Sequence, residues 1–352
     1  MTTCQKCHPS ATRKFAGYLT HATHHDPDKY PILFYVFWSM TSLVIGTFFF
    51  SGMHTLLWLP RAWQMRKLHK KAEEADPNEK QYQRFTRLNR ILHIVMIVSF
   101  ITLTLTGMTL KFSYTAWAAV LSRLFGGFEV AGYVHRFAAL MMTGIFVTHI
   151  VDLFRRKKKD YGSWWAMLTS ADTMLPTKKD WHDVVGSIKW FVNKGPRPQY
   201  GRWTYWEKFD YFAVFWGVFI IGSTGMTLWF PELFTRFLPG WFINVATIVH
   251  SDEALLATGF IFTVHFFNTH LRPEKFPMDI VVFTGRMSVE ELQRDKPAEY
   301  AALINSGQLE KYLVEPYPPI VIKAIRLFGW TAVIIGISVV IWIIYAMLFT
   351  YR

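Results

Sequence analysis

Charged residues and cysteines are scarce in this chain of 352 residues. Only 18% of the residues are Asp, Glu, Lys or Arg, whereas 51% are apolar and 17% are aromatic. A soluble domain has about 25% charged residues, so the composition argues against an ordinary cytosolic enzyme and against disorder. Cys4 and Cys7 are the two cysteines, too few for a disulfide framework. The formal charge of +13 does not indicate nucleic-acid binding, because the charges lie in loops between long apolar runs.

Six apolar runs reach the roughly 20 residues needed to cross a bilayer core. They predict an all-α integral membrane protein with helices at 31–59, 91–112, 128–154, 209–230, 241–268 and 322–351. The loops 61–90, 155–208 and 271–321 carry nine, twelve and six Lys and Arg residues, against seven on the other side. By the positive-inside rule these loops face the cytoplasm, and both termini lie outside. Residues 1–30 contain no apolar signal-peptide core, so the first span is expected to carry them across.

An internal repeat organises the middle of the chain. Thr106–Leu110 reads TGMTL, and the same five letters recur at Thr224–Leu228. Spans 2 and 3 are therefore predicted to be a copy of spans 4 and 5, which together form a four-helix core at 91–270. The copy has diverged, since His93 aligns with Tyr211. The remaining parts are a tail at 1–30, an accessory helix at 31–60, a cytoplasmic segment at 271–321 with one helical segment at 288–292, and a last helix at 322–351.

Histidines recur at two depths of the predicted membrane helices. Seven of the thirteen lie in or beside the spans: His54, His93, His135, His149, His250, His265 and His270. An intramembrane histidine is costly and is functional by default. The pairs His135/His149 and His250/His265 are 14 and 15 residues apart, so each pair shares one helix face, about 21–22 Å apart along the axis. Two such layers indicate two b-type haems, and two axial imidazoles per iron leave only electron transfer.

The two layers differ in how clearly their ligands can be assigned. In the outer layer, His135 faces His250. In the inner layer, His265 is the best candidate, and its partner is either His93 or His149.

The surplus of polar groups permits a third b haem or a quinone site. His270 is about 140° around the helix from His265 and is expected to point elsewhere. Quinol oxidation releases protons and needs acceptors nearby. The candidates for quinone or proton contacts are Asp252 and Glu253 at the outer end of span 5, and His149, His270, Asp152, Glu207 and Asp210 at the inner side. His54 is a further candidate ligand.

The N-terminal tail carries a second type of haem signature. Cys4–His8 reads CQKCH, the CxxCH pattern of covalent haem c attachment, with His8 as an axial ligand. Attachment takes place outside the cytoplasm, where the charge distribution places the tail. The candidates for the sixth ligand are His21, His24 and His25. The alternatives are a zinc site built from Cys4, Cys7 and two histidines, or a tail that binds nothing.

Several segments resemble the bacterial cytochrome b family of formate dehydrogenase gamma subunits and nickel–iron hydrogenase b subunits. The segments are Arg90–His93, Val134–Phe137, and His250 followed by His265; His265–Arg272, Phe276–Asp279 and Phe283–Gly285 are similar to its branch of cytochrome b/b6-domain proteins. The resemblance covers roughly 85–285. It implies an outer haem pair His135–His250, an inner pair His93–His265, and quinone exchange near the inner haem.

The chain departs from the gamma subunits in spans 1 and 6, in the tail and in His149. Its last histidine spacing is 15 where 14 is usual. His149 with spacings of 14 and 15 also resembles the cytochrome b of bc-type complexes, in which two helices supply all four ligands.

Three functional hypotheses follow. The favoured one is an electron-transfer subunit of a multisubunit quinol/quinone oxidoreductase in the bacterial inner membrane, with two b haems and one c haem. It would link the menaquinone or other quinone pool to a c-type cytochrome or another extracytoplasmic redox subunit. The second is a membrane anchor cytochrome b of a formate dehydrogenase or hydrogenase without haem c. The third is a metal transporter, which predicts substrate groups near mid-depth.

Overall fold

Six long helices dominate the structure. The computed structural model describes residues 5–69 and 79–350, so Cys4 lies outside the described residues. Six helices are long and apolar enough to cross a membrane, here called spans 1 to 6: Pro31–Lys67, Arg87–Lys111, Phe128–Tyr161, Tyr205–Trp229, Trp241–Leu271 and Pro319–Thr350. All six predicted spans are confirmed, and the fold is that of an all-α integral membrane protein.

Three of the spans end in π-helical segments. Span 3 is α-helical over Phe128–Arg156 and π-helical over Lys157–Tyr161. Span 5 is α-helical over Trp241–Phe260 and continues as two π-helices, Ile261–His265 and Phe267–Leu271. Span 6 is α-helical over Pro319–Tyr345 and π-helical over Ala346–Thr350, whereas the helix of span 1 runs unbroken over Pro31–His69.

The short elements lie in the connections between the spans. The α-helices are Ala116–Phe125, Trp164–Leu168, Lys178–Phe191, Pro231–Phe234, Val281–Thr284, Val289–Asp295 and Pro297–Asn305; 3₁₀ turns are Phe15–Gly17 and Leu309–Tyr312. Spans 2 and 4 start in the same way, because capping boxes, Thr86 with Asn89 and Thr204 with Glu207, pair the free amides of their first turns.

A small antiparallel sheet ties together two of the Lys- and Arg-rich loops at one end of the bundle. Its strands are β1 (Gln81–Gln83), β2 (Arg286–Met287) and β3 (Leu313–Val314), in the order β2-β1-β3. Tyr82 of β1 pairs with both neighbours and is buried. We call this end, which also holds His93 and His265, the inner end.

The segment 271–321 is more structured than predicted. The expected helical segment exists as Val289–Asp295, and the Ser288 hydroxyl caps it by accepting from the Glu291 amide at 3.0 Å. The expectation of a single helical segment is wrong, because two further helices and two strands form there. These elements are two to nine residues long, too short to show a clear periodic pattern in the sequence.

Spans 2 to 5 form a closed ring, in which span 2 contacts spans 3 and 5, and span 4 contacts spans 3 and 5. Spans 1 and 6 both pack against span 5. A Cβ at Gly259 of span 5 would overlap the Phe48 ring of span 1, and one at Gly336 of span 6 would overlap Phe262. Glycine permits these close helix contacts. Span 5 is therefore covered on both flanks, whereas its repeat counterpart, span 3, has exposed apolar side chains such as Phe137 and Leu140.

The N-terminal tail packs on the connection between spans 4 and 5, at the outer end. The Leu19 amide donates to Asn244 Oδ1 at 3.1 Å, and Asn244 Nδ2 donates back to the Leu19 carbonyl at 2.9 Å. The Thr12 hydroxyl donates to the Thr235 carbonyl. A Cβ at Gly240 would overlap the tail backbone. The tail thus lies at the same end of the bundle as His250.

Candidate functional site

A large cavity runs through the ring of spans 2 to 5. Its volume is about 1740 Å³, whereas sites for drug-sized ligands measure about 300–1,000 Å³. Six of the predicted histidines line it: His93, His135, His149, His250, His265 and His270. The cavity is therefore large enough for more than one ligand, and its wall carries both histidine layers.

In the outer layer, His135 and His250 lie opposite each other across the cavity. Their ring centroids are 6.3 Å apart and the ring planes cross at 71°. An imidazole nitrogen binds a metal such as Zn²⁺ at about 2.0–2.1 Å, and with about 1.1 Å more to each ring centre, two rings on one ion lie about 6.2–6.4 Å apart. The observed separation matches that of two axial ligands of a single metal ion.

The second nitrogen of each outer imidazole is held by the preceding span. The Nδ1 of His135 lies 2.9 Å from the Thr106 hydroxyl oxygen, and that of His250 lies 3.3 Å from the Thr224 hydroxyl. His250 Nδ1 also donates to the Ile221 carbonyl at 3.0 Å. A carbonyl only accepts, so the proton of His250 is on Nδ1 and Nε2 keeps its lone pair.

The repeat reproduces this arrangement in its first copy. Thr106 donates its own proton to the Thr102 carbonyl at 2.7 Å, so its oxygen accepts from His135. The Leu103 carbonyl, which aligns with that of Ile221, also faces His135. Both Nε2 atoms are thereby left for a metal.

Glycines next to these threonines leave room for the outer imidazoles. A Cβ at Gly107 would lie 3.2 Å from His135 Cε1, and one at Gly225 would lie 3.0 Å from His250 Cε1. Both contacts are tighter than ordinary van der Waals distances. The TGMTL repeat thus supplies a threonine that fixes each ring and a glycine that admits it.

In the inner layer, His265 is held by a carboxylate. Its Nδ1 lies 2.9 Å from Asp210 Oδ2 of span 4, which leaves Nε2 for a metal. His93 is close enough to His265 for electrostatic interaction. Its Nδ1 is buried and has no hydrogen-bond partner among the described residues. His93 and His265 therefore both present a free ring nitrogen, as a ligand pair requires.

His149 is engaged differently. Its Nε2 lies 2.8 Å from the Tyr211 hydroxyl, and the two rings meet edge to face. Phe215 packs against both rings, with centroids 5.8 Å from His149 and 4.8 Å from Tyr211. The nitrogen that would bind iron is thus occupied by Tyr211 in this arrangement.

The expected direction of His270 is wrong. His270 lines the same cavity as His265, is 7% exposed, and stacks parallel to Phe283 at 6.3 Å. The expectation assumed α-helical geometry, but Ile261–His265 and Phe267–Leu271 are π-helices. In a π-helix the hydrogen bonds join residues five apart, so His270 returns to the face of His265.

His54 lies outside the cavity lining. Its Nε2 lies 2.6 Å from the Tyr205 hydroxyl, and its ring meets Trp58 and Phe191 edge to face. These contacts satisfy a buried histidine and join span 1 to span 4.

The tail histidines lie near the outer end. His8 Nδ1 lies 2.7 Å from Glu232 Oε1, and this hydrogen bond lowers the pKa of Glu232. His24 is half-buried, stacks on Phe37 at 3.9 Å and has no partner for Nε2 among the described residues. His21 and His25 are exposed. Of the predicted motif, Cys4 lies outside the described residues, and Cys7 is exposed.

The two candidate carboxylates of span 5 have different surroundings. Asp252 accepts from Lys111 at 3.0 Å and so joins spans 2 and 5. Glu253 is 3% exposed, lines the cavity, and has one carboxylate oxygen without a partner in the described structure. A buried carboxylate oxygen without a hydrogen-bond partner is a stronger candidate for a proton acceptor than one in an ion pair.

The inner end of the cavity is closed by buried ion pairs. Lys275 contacts Asp279 at 3.1 Å, Asp295 at 2.9 Å, and Glu291. Burial opposes the charge of Asp295, yet Lys275 and Arg294 hold its pKa well below the usual 3.8. These pairs fasten the segment 271–321 beneath the spans.

Clusters of three or more His, Cys, Asp or Glu side chains able to hold a metal ion are absent from residues 5–69 and 79–350. A bis-imidazole haem needs two protein ligands only. The outer site meets that need with a matching ring separation, free Nε2 atoms and glycine clearance. The residues present therefore fit haem b.

Comparison with known proteins points the same way. A model of the prokaryotic cytochrome b561 family matches residues 15–170. The match covers less than half of the chain and contains spans 1 to 3, with His93, His135 and His149. No curated protein matches the chain. The similarity indicates a membrane cytochrome b that binds haem b and takes part in electron transfer.

Sequence reasoning missed the residues that hold the imidazoles. Thr106 and Thr224 were visible as part of the repeat, but their hydroxyls could not be assigned to particular rings. Asp210 was predicted only as a proton acceptor at the inner side; its hydrogen bond to His265 depends on how spans 4 and 5 pack together.

Proposed function

We propose that this protein is a membrane cytochrome b that passes electrons between the quinone pool and an extracytoplasmic redox partner. Two b haems would occupy the central cavity and one c haem the tail. The observation that supports this best is the 6.3 Å separation of the His135 and His250 rings, which suits two axial ligands of one iron.

His135 and His250 would hold the outer haem, and His93 and His265 the inner one. Bound haem supplies one-electron chemistry, and two protein ligands leave no position for oxygen. The chain keeps a proton on Nδ1 of His250 through Ile221, and orients His135 through Thr106. The wall around the outer histidines, which includes Leu140 and Phe215, is largely apolar.

The tail supports a c haem at the outer end. His8 is held by Glu232, and the tail is fixed on the connection between spans 4 and 5. Carboxylates that orient a ligating histidine are common in metal sites. A haem on Cys4 and Cys7 would lie at the end of the bundle that holds the outer b haem. That order would give an electron path from the cavity to an outside partner such as a c-type cytochrome.

The quinone would exchange electrons within the same cavity. The groups that could bind its head group or take up its protons are His149, His270, Asp252 and Glu253. The distribution of Lys and Arg supports a cytoplasmic inner end and an extracytoplasmic tail. The resemblance to gamma subunits supports membership of a larger oxidoreductase complex.

A pyridine haemochrome assay with haem-to-protein stoichiometry tests the proposal, because it counts b and c centres together. We expect two b haems and one c haem per chain. Cys4→Ser should remove the covalent haem signal on a denaturing gel and leave the b-type absorbance. Protein without a Soret band would refute the cytochrome; haem staining unchanged by Cys4→Ser would refute the c haem alone. Two b haems and no c haem in the wild-type protein would favour the membrane anchor without haem c.

A further inference from the structure

Asp210 is a carboxylate within a membrane span. The one side-chain hydrogen bond described for it goes to His265, a predicted haem ligand. Its Oδ2 lies 2.9 Å from His265 Nδ1, and the two side chains are 14% and 22% exposed. The other oxygen, Oδ1, is buried and unpartnered in the described structure. Placing a carboxylate in an apolar setting with so few partners is costly, so the contact with His265 needs a reason beyond packing.

The repeat shows that the two copies differ at this position. Asp210 and Tyr211 align with Leu92 and His93 of the first copy. Tyr211 meets His149, while Asp210 meets His265. Two neighbouring residues of span 4 thus contact the two inner histidines of spans 3 and 5 in different ways: a hydroxyl covers Nε2 of one ring, and a carboxylate covers Nδ1 of the other.

The outer histidines lack a comparable charge on Nδ1. His135 faces the Thr106 hydroxyl, and His250 faces the Ile221 carbonyl and the Thr224 hydroxyl. Uncharged acceptors fix a ring but draw little on its proton. A carboxylate draws the Nδ1 proton more strongly and makes the ring a more electron-rich ligand.

We propose that Asp210 is a positioning residue that commits His265 Nε2 to the inner haem iron and lowers the reduction potential of that haem. The proposal rests on the proposed function, since it requires an inner b haem. An electron-rich axial imidazole stabilises ferric over ferrous iron, and hydrogen bonding around the ligands is one of the ways in which a protein sets this potential.

Redox titration of the two b haems, followed by their optical spectra, tests the role of Asp210 without measuring turnover. The spectral component lost in His93→Ala identifies the inner haem. Asp210→Asn keeps the size of the side chain and removes its charge. We expect the ferric-to-ferrous preference of the inner haem to fall about tenfold, which raises its midpoint by about 59 mV for one electron, while the outer haem keeps its midpoint.

Two further variants control for simpler explanations. Asp160→Asn removes the same charge from an exposed position of the inner end and should leave both midpoints within a small fraction of that shift. Asp210→Glu should return the inner midpoint towards the wild-type value. If Asp210→Asn does not retain the inner haem, Asp210→Glu decides the matter. An inner haem that is retained there with a midpoint near the wild-type value supports the role of the carboxylate, and a clearly higher midpoint contradicts it.

The outcomes separate this inference from the proposed function. Wild-type protein with a single b haem, or none, contradicts the two-haem function itself. Wild-type protein with two b haems, and an inner midpoint that Asp210→Asn does not raise, contradicts the inference alone. Equal shifts in Asp210→Asn and Asp160→Asn would also contradict it, since they would reflect a general effect of charge.

Discussion

The two histidine layers descend from one repeat, yet only the outer one keeps its symmetry. Around His135 and His250, each copy supplies the same threonine and the same glycine from the preceding helix. In the inner layer, the counterpart of His93 is Tyr211, and the counterparts His149 and His265 have different partners. The outer layer therefore presents two imidazoles with equivalent surroundings to the cavity. In the inner layer, the two histidines contact different side chains of span 4.

The largest effect is expected from removing an outer ligand. His135→Ala and His250→Ala should each abolish the same b-type component, because each leaves the outer iron with one imidazole. Reduced-minus-oxidised spectra of the purified variants check this. His149→Ala is the comparison, and it should leave both b components because Tyr211 already occupies its Nε2. Loss of different components in the two outer variants would show that the pairing is wrong.

A smaller effect is expected from filling the glycine clearance. Gly107→Val places methyl groups where even a Cβ would lie 3.2 Å from His135 Cε1, so the ring must shift and outer haem occupancy should fall several-fold. Gly144→Val is the matched control, since a Cβ at Gly144 of span 3 meets nothing within 4 Å. Haem-to-protein ratios of the two variants decide the matter. Equal ratios would mean that Gly107 serves helix packing alone.

The smallest effect on the haems is expected at the ion-paired inner end, outside both layers, where a change acts on the stability of the fold instead. The pKa of Asp295 in the fold lies well below 3.8, so its contribution to stability is present above about pH 3.8 and is lost as the pH falls through the folded value. The protection factors of the β1 amides in hydrogen exchange should therefore fall on acidification below about pH 4. Lys275→Met leaves Asp279 without its ion-pair partner and removes one of the cations around Asp295. Breaking such a pair costs about 3–5 kcal/mol, so the variant should lower the protection factors already at neutral pH. Exchange that stays slow in this variant would show that the sheet is held by other contacts.

Much of the fold was predictable, because long apolar runs have only one way to satisfy their backbone in a bilayer. The six spans, the repeat and the opposition of His135 and His250 all follow from spacing within straight helices. The small sheet did not follow, because strands of two or three residues leave no periodic signal.

The inner layer was less predictable for two physical reasons. The direction of His270 depends on π-helical geometry, and the spacing of apolar residues in the sequence does not reveal a π-helix. The contacts of Asp210 and Tyr211 depend on which neighbouring helix each side chain reaches, and that is set by packing of the whole ring. Sequence spacing therefore identified the candidate ligands, but the hydrogen-bond partners of their second ring nitrogens could be found only in the structure.

The π-helical turn at Ile261–His265 lies where the two copies of the repeat differ in length. Between Gly259 and His265 the second copy has one residue more than the first has between Gly144 and His149. In a regular helix such an insertion would rotate everything beyond it by roughly 100° and swing His265 away from its old neighbours. The wider turn absorbs the extra residue locally, so the two copies can differ in length here while His265 keeps its place in the wall of the cavity.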